Sequence, residues 1–340
     1  MTENSQNQPS KPANAESRQT PNSDILGLPH SGGDVQDGVV PLTPEQQVTQ
    51  LSDFIEDNYP EIFRSLTIDE GKEFTGAGQP VPAELKESTE RMWAKIPDLL
   101  AHSSLLVLGA GLDHAMPHVA FLRTGPSAEE LELADLSEDV RATVLRPSTP
   151  NGALAFSFHG GPGWFGDGLS HDQFWLPMFA ALAERSGVTV VDLCYPLPGA
   201  GAWEGTQAAV AQAVRVIREH LGADAKLTTE PGSARSYGLI TFGTGFVAAR
   251  DVAGDADFHL LLTPRIPDGF DADLSGSQNY VSLASLDSRG TPTAEITAWL
   301  EARGVDYSLQ VYPAEHIIAA PAVWRQRVEE AAQWLAGQRG

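Results

Sequence analysis

The stretch that decides the fold is Ala153–Gly166, which reads ALAFSFHGGPGWFG. Its first six residues are nearly all apolar and predict a buried strand, and the motif HGGPG at His159–Gly163 follows directly. Glycines at the end of a strand let the backbone approach a ligand closely, and their free N–H groups can point at a developing oxyanion. A tight glycine turn without chemistry is the alternative interpretation of the same motif.

Apolar strand-like runs alternate with helical patterns from about Leu131 to the end of the chain. The candidate strands are Val140–Arg146, Ala153–Phe158, Thr189–Tyr195, Tyr237–Phe242, Phe258–Thr263, Tyr280–Leu286 and Tyr307–Tyr312. The candidate helices between and after them are Gln173–Arg185, Thr206–His220, Gly245–Asp251, Ala294–Arg303 and Ala322–Leu335. This alternation predicts an α/β protein with a mostly parallel central sheet and helices on both faces.

Two regions of different character precede the sheet. Residues 1–40 are rich in small and polar side chains and poor in large apolar ones, which predicts a disordered tail. Residues 41–115 show helical patterns without a strand pattern, among them the cap sequence Thr43–Gln46 and a helix over Ala83–Ala101, which Pro97 should kink or end early. We therefore expect an N-terminal helical cap on an α/β domain of residues 116–340.

Composition argues against several classes of function. The formal net charge of −23 repels nucleic-acid phosphates and anionic lipids, so no nucleic-acid or membrane partner is expected. Cys194 is the only cysteine, which excludes an intramolecular disulfide and a multi-cysteine metal site. His114 and His118 are spaced for metal binding, but Pro117 between them disfavours a helical ligand face, so neither metal nor cofactor is expected. No signal-peptide or membrane-spanning pattern is present, and the expected location is cytoplasmic.

Four further segments follow the HGG motif in a recognisable order. They are Gly166–Asp167 with Ser170–Asp172, then Tyr195–Gly199, then Leu286–Ser288, and finally Tyr312–His316. With these segments, Val140–Leu335 resembles the hormone-sensitive-lipase-type esterases, which are carboxylic ester hydrolases of the α/β-hydrolase fold with an HGG oxyanion loop. The resemblance implies the same fold and a Ser-His-Asp type of site.

The resemblance assigns the side chains that would assist the nucleophile of such a site. His316 would be the general base, and Asp287 would orient it and stabilise the imidazolium. The oxyanion hole would fall on Gly160, Gly161 and Thr244. Pro162 stands at the family's third glycine, and because proline has no N–H, the surviving donors would be those of Gly161 and Thr244.

The nucleophile position is where the sequence departs from the family. The sharp strand-to-helix turn that presents the serine needs small residues two before and two after it, and no GxSxG occurs in the chain. Aligning Gly245 with the second glycine puts Gly243 at the apex, where no side chain can attack a carbonyl. Sliding the alignment by one makes Thr244 the apex, but phenylalanines then stand where small residues are required.

The sequence therefore predicts a protein of carboxylic ester hydrolase ancestry that takes a small-molecule ester or acyl ligand and is weak or inactive as it stands. Retention of Asp287, His316 and the HGG loop indicates continued use of the site. Either a Ser→Gly change at position 243 or direct activation of water by His316 would explain why these residues are present without the serine. One alternative is a non-catalytic pseudohydrolase that binds a small ligand or a partner. Another is a peptidase, since HGGPG also occurs in proline iminopeptidases.

Overall fold

The computed structural model describes residues 42–108, 127–223 and 237–338. The predicted tail at 1–40, the end of the predicted cap at 109–115 and the pair His114 and His118 lie outside the described residues. No helix in the described ranges is long and apolar enough to cross a membrane.

Eight strands form one sheet in the order β1-β2-β4-β3-β5-β6-β7-β8. Their bounds are β1 Ser127–Glu130, β2 Arg141–Arg146, β3 Leu154–Phe158, β4 Thr189–Cys194, β5 Gly238–Phe242, β6 Phe258–Leu262, β7 Gln278–Ala284 and β8 Ser308–Tyr312. Strands β3 to β8 pair in parallel, whereas β2 is antiparallel to β4 and β1 to β2. The mostly parallel sheet predicted from the sequence is confirmed.

The four central strands β3, β4, β5 and β6 are buried along their whole length. Helices cover both faces of such a sheet, and this is why these strands read as continuous apolar runs rather than as an alternating pattern. Strand β1, Ser-Ala-Glu-Glu, was not predicted because all four of its residues are exposed at the edge of the sheet and give no apolar signal.

In the described range 42–108, five helices precede the sheet, and together we call them the cap. They are α1 Pro44–Asn58, α2 Pro60–Thr67, α3 Lys72–Gly76, α4 Ala83–Trp93 and α5 Ile96–Leu108. The predicted start of α1 is confirmed, because the side chains of Thr43 and Gln46 form a reciprocal capping box. The single helix predicted over Ala83–Ala101 is instead two helices, α4 and α5.

The remaining helices lie between and after the strands. They are a π-helical turn His171–Trp175, then α6 Leu176–Ser186, α7 Glu204–Ala223, α8 Gly245–Ala248, α9 Arg250–Ala253, α10 Thr293–Glu301 and α11 Pro321–Ala336. The continuous helix predicted over Gly245–Asp251 is wrong. The backbone tightens at Ala249 (φ −82°, ψ 1°), whose carbonyl accepts from Val252 three residues later, and the helix breaks there.

The carboxyl ends of parallel strands share one edge of the sheet. The loops after β3, β5, β7 and β8 begin at this edge, and they carry the HGGPG motif, Gly243, Asp287 and His316, respectively. In open parallel sheets, ligands bind outside these strand ends. The fold therefore brings the sequence-predicted site residues to a single edge.

Candidate functional site

Gly243 lies at the apex of a sharp turn between strand β5 and helix α8. Its φ is +54°, in the left-handed region that favours glycine. A Cβ at this position would meet only the Cα of Gly160, at 3.8 Å, whereas a Cβ at Gly245 would lie 2.3 Å from the carbonyl oxygen of Phe158. Position 245 thus requires glycine because α8 packs closely on β3, while position 243 has room for a side chain.

Thr244 enters the first turn of the helix with φ −73° and ψ −8°. Its hydroxyl donates a hydrogen bond to the carbonyl oxygen of Gly161. This contact joins the β5–α8 turn to residues 159–170, which we name the oxyanion loop after the esterases that the sequence resembles, and engages the hydroxyl proton. The alternative alignment with Thr244 at the apex does not describe the turn, since the positive φ belongs to the preceding residue.

His316 and Asp287 meet in the loops after β8 and β7. The Nδ1 of His316 donates to Oδ2 of Asp287 at 2.9 Å, and the Asp287 side chain is nearly buried. Its Oδ1 accepts from the N–H groups of Arg289, at 2.8 Å, and Gly290, at 2.7 Å. The ring of His316 packs edge-on against Phe242, the residue before Gly243, with 5.9 Å between centroids.

These partners determine the ionisation of Asp287. Burial disfavours its charged form, but the His316 ring and the N–H groups of Gly290 and Arg289 outweigh burial and hold the pKa of Asp287 well below its ordinary value. An ionised carboxylate fixed on Nδ1 keeps the other ring nitrogen of His316 free to accept a proton. This is the arrangement of a general base with its orienting acid.

The oxyanion loop presents N–H groups on the same side. Gly161 and Thr244 both line the cavity described below, and neither N–H donates to a backbone or side-chain acceptor in the described part of the chain. Gly161 has φ +118°, and a Cβ there would lie 2.2 Å from the carbonyl oxygen of Phe165, so only glycine fits. Gly160 does not line the cavity; its carbonyl oxygen accepts from Nδ1 of the buried His159 at 2.8 Å.

Glu90 of cap helix α4 supports the oxyanion loop from behind. Glu90 is 5% exposed, and its carboxylate accepts from the N–H groups of Gly166 (2.7 Å), Gly168 (3.3 Å) and Ser170 (2.8 Å), and from the Ser170 hydroxyl (2.6 Å). Gly166 in turn backs onto Gly160, whose carbonyl oxygen would lie 2.6 Å from a Cβ at position 166. No sequence pattern indicates this contact, because a single acid in an amphipathic helix normally lies on the solvent face.

The cap also contacts the other two loops of the site. Nη1 of Arg289, in the loop after β7, donates to the carbonyl oxygens of Ser65 (3.2 Å) and Leu66 (2.6 Å) at the end of α2. The Ser52 hydroxyl of α1 donates to Glu315, the neighbour of His316, at 2.9 Å. The cap is therefore hydrogen-bonded to the loops after β3, β7 and β8.

A cavity of about 890 Å³ lies between the cap and the sheet edge. Gly161, Gly243, Thr244 and His316 line it. Its aromatic walls come from both layers: Trp93, Phe165, Trp175, Trp203 and Phe242. The sequence analysis missed this wall, because Trp93 and Trp175 come together only when α4 packs on the π-helical turn, where their rings stack 5.7 Å apart.

A second cluster of titratable groups, around His171, lies behind the oxyanion loop. Nε2 of His171 and Oδ2 of Asp192 are 2.8 Å apart, and both side chains are buried. Burial opposes protonation, yet Asp192 and Asp172 outweigh it and raise the pKa of His171 to about 10. The Ser157 hydroxyl donates to the other oxygen of Asp192 at 2.7 Å. None of these residues lines the cavity, so they support the loop rather than a ligand.

Several solved structures share this architecture. The chain is similar to a mutant of LAE6, an α/β hydrolase enzyme from the metagenome of Lake Arreo, Spain, with a TM-score of 0.56 and 15% identity over 87% of this chain and 98% of that one. The chain has the α/β-hydrolase fold. Two esterases share the fold at 15% identity over 83% of this chain and 99% of theirs: a mutant of the esterase E40, with a TM-score of 0.51, and an esterase from the bacterial hormone-sensitive lipase family, with a TM-score of 0.50.

The α/β-hydrolase fold is all that these similarities establish, since identity is low throughout. No protein-family model matches the chain. No curated protein matches it either. Within the described ranges, no group of three or more His, Cys, Asp or Glu side chains is arranged to hold a metal ion.

Proposed function

We propose that this α/β-hydrolase-fold chain has carboxylic ester hydrolase ancestry, binds a small-molecule ester or acyl ligand in the cavity, and is weak or inactive in hydrolysis as it stands. The observation that carries the proposal is the pairing of His316 with Asp287 at 2.9 Å beside an apex residue, Gly243, that has the turn geometry of a nucleophile but no side chain. Retaining the base and its acid in this geometry has a physical purpose only if the site still handles a polar ligand group.

The chemistry that the site would carry follows from its donors and acceptors. A hydroxyl at position 243 would attack the ester carbonyl, while His316 takes its proton and later returns it to the leaving alcohol. Asp287 would stabilise the imidazolium that forms. The N–H groups of Gly161 and Thr244 would stabilise the oxyanion, an effect worth about 3–4 kcal/mol for a single donor in a serine protease.

With glycine at position 243, two uses of the same site remain. His316 can activate a water molecule for slow attack, or the cavity can bind a ligand without turning it over. The intact aromatic cavity of about 890 Å³ supports the second use, since it is large enough for a small organic ligand.

The test compares the parent chain with Gly243→Ser on p-nitrophenyl esters from acetate to octanoate. Loss of the nucleophile alone costs about 10⁶ in kcat in a serine protease, so even a poorly aligned hydroxyl should raise turnover by about 10³ or more. Adding His316→Ala should remove the gain. If Gly243→Ser unfolds cooperatively like the parent yet hydrolyses none of these esters faster, the esterase proposal fails and a binding protein takes its place.

A further inference from the structure

Arg289 is a cavity residue that the hydrolytic chemistry above does not use. It follows Asp287 by two positions, and its half-buried guanidinium lines the cavity wall. Nη1 is fixed by the two carbonyl oxygens of α2, at 2.6 and 3.2 Å, and the guanidinium carbon lies 5.8 Å from the centre of the Trp93 ring. These contacts hold the side chain in one orientation without satisfying its charge.

The other edge of this guanidinium is unpaired. Nε and Nη2 make no hydrogen bond to the described residues, and no carboxylate among those residues forms an ion pair with Arg289. Burial lowers the pKa of Arg289, with Asp69 and Asp287 opposing the effect, so its charge is held at a cost. The Nε–Nη2 edge of an immobilised guanidinium is a planar fork that matches the two oxygens of a carboxylate.

The surrounding charges give no general attraction for anions. Lys72 and Arg265 also line the cavity, but so do Asp69, Asp268 and Glu295, and the whole chain carries a formal charge of −23. One oxygen of Asp69 is already engaged by the indole N–H of Trp164 at 2.7 Å. An anionic group is therefore favoured only where it meets the fork of Arg289 directly.

We propose that Arg289 binds the carboxylate of the ligand that occupies the cavity, so that the natural ligand or ester substrate carries an anionic group next to an aromatic or apolar body. The aromatic walls described above would take the apolar body. This inference rests on the proposed function only for the location of the ligand, and binding through Arg289 requires no nucleophile.

The test uses two probes of the same shape, 2-naphthoate and 2-naphthamide, titrated calorimetrically into the full-length parent chain at low salt. Because hydrogen bonds between charged groups are stronger than those to a neutral amide, naphthoate should bind at least about ten-fold more tightly than naphthamide. Arg289→Gln should remove this preference while leaving the affinity for the amide unchanged. Lys72→Gln is the matched control: it deletes another cation that lines the cavity but does not contact Arg289, and it should preserve the preference.

Arg289→Lys covers the case in which Arg289→Gln does not fold, because it keeps the charge but loses the fork. Arg289→Lys should lower the preference for naphthoate over naphthamide at least three-fold. Equal affinities for the two probes, no binding of either, or a preference that survives both Arg289 variants would overturn the proposal. Inactivity of Gly243→Ser together with a preference that depends on Arg289 would instead reject the esterase proposal and leave the carboxylate site in place.

Discussion

Glu90 accepts four hydrogen bonds and so links the cap directly to the candidate site. Replacing Glu90 by glutamine tests the contribution of these bonds to stability. Glutamine keeps one acceptor oxygen, but its NH₂ group turns a donor towards either Gly166 and Gly168 or Ser170, all of which are donors to Glu90. A buried donor left without an acceptor costs about 1–3 kcal/mol, so we expect Glu90→Gln to lower the free energy of unfolding by about 2–3 kcal/mol.

The measurement is urea denaturation of the full-length chain, followed by tryptophan fluorescence. Glu87→Gln is the matched control on the same helix: Glu87 is exposed and, among the described residues, pairs only with Arg91, a contact worth about 0–1 kcal/mol. In the Gly243→Ser background, Glu90→Gln should also lower kcat more than it raises KM, because the oxyanion loop it supports stabilises the transition state rather than the bound ester. The reasoning is refuted if Glu90→Gln and Glu87→Gln destabilise the protein equally.

Two further predictions concern the turn and the acid. A Cβ at position 245 would clash with two carbonyl oxygens of β3 and its loop, so Gly245→Ala should lower the free energy of unfolding by more than about 3 kcal/mol. At position 243 a Cβ has room, and only the positive φ disfavours it, so Gly243→Ala should lower that free energy by about 1–2 kcal/mol. Equal losses in urea denaturation would show that α8 does not pack on β3 as described. The lowered pKa of Asp287 stabilises the folded state above the ordinary carboxyl pKa of about 4, and that contribution is lost as the pH falls towards the lowered value. The difference in unfolding free energy between the parent and Asp287→Asn should therefore narrow as the pH falls from about 4 to about 2, and a difference that stays constant over this range would contradict the lowered pKa of Asp287.

The sequence was sufficient for the fold because its strongest signals were local. Buried parallel strands read as apolar runs, and Gly161 of the HGGPG motif and Gly245 stand where backbone carbonyl oxygens exclude a Cβ. The order of these segments along the chain then placed Asp287 and His316 at neighbouring strand ends, and the structure brings them within hydrogen-bonding distance.

The rest of the site depends on contacts between distant parts of the chain. Glu90 lies 76 residues before Gly166, and Arg289 lies more than 220 residues after Ser65. No periodicity or motif links such positions, because the contacts exist only once the cap has packed on the sheet. The exposed edge strand β1 was missed for a related reason: its pairing with β2, rather than an apolar pattern of its own, defines it.

The central claim, that position 243 is the nucleophile position served by His316, is tested most directly by labelling with a fluorophosphonate and locating the adduct by peptide mass spectrometry. The parent chain should remain unlabelled, because Gly243 offers no hydroxyl and that of Thr244 donates to Gly161. Gly243→Ser should be labelled stoichiometrically at position 243, and His316→Ala in that background should prevent labelling on the same timescale. A stoichiometric adduct on Thr244 of the parent, or a folded Gly243→Ser variant that remains unlabelled, would contradict the account.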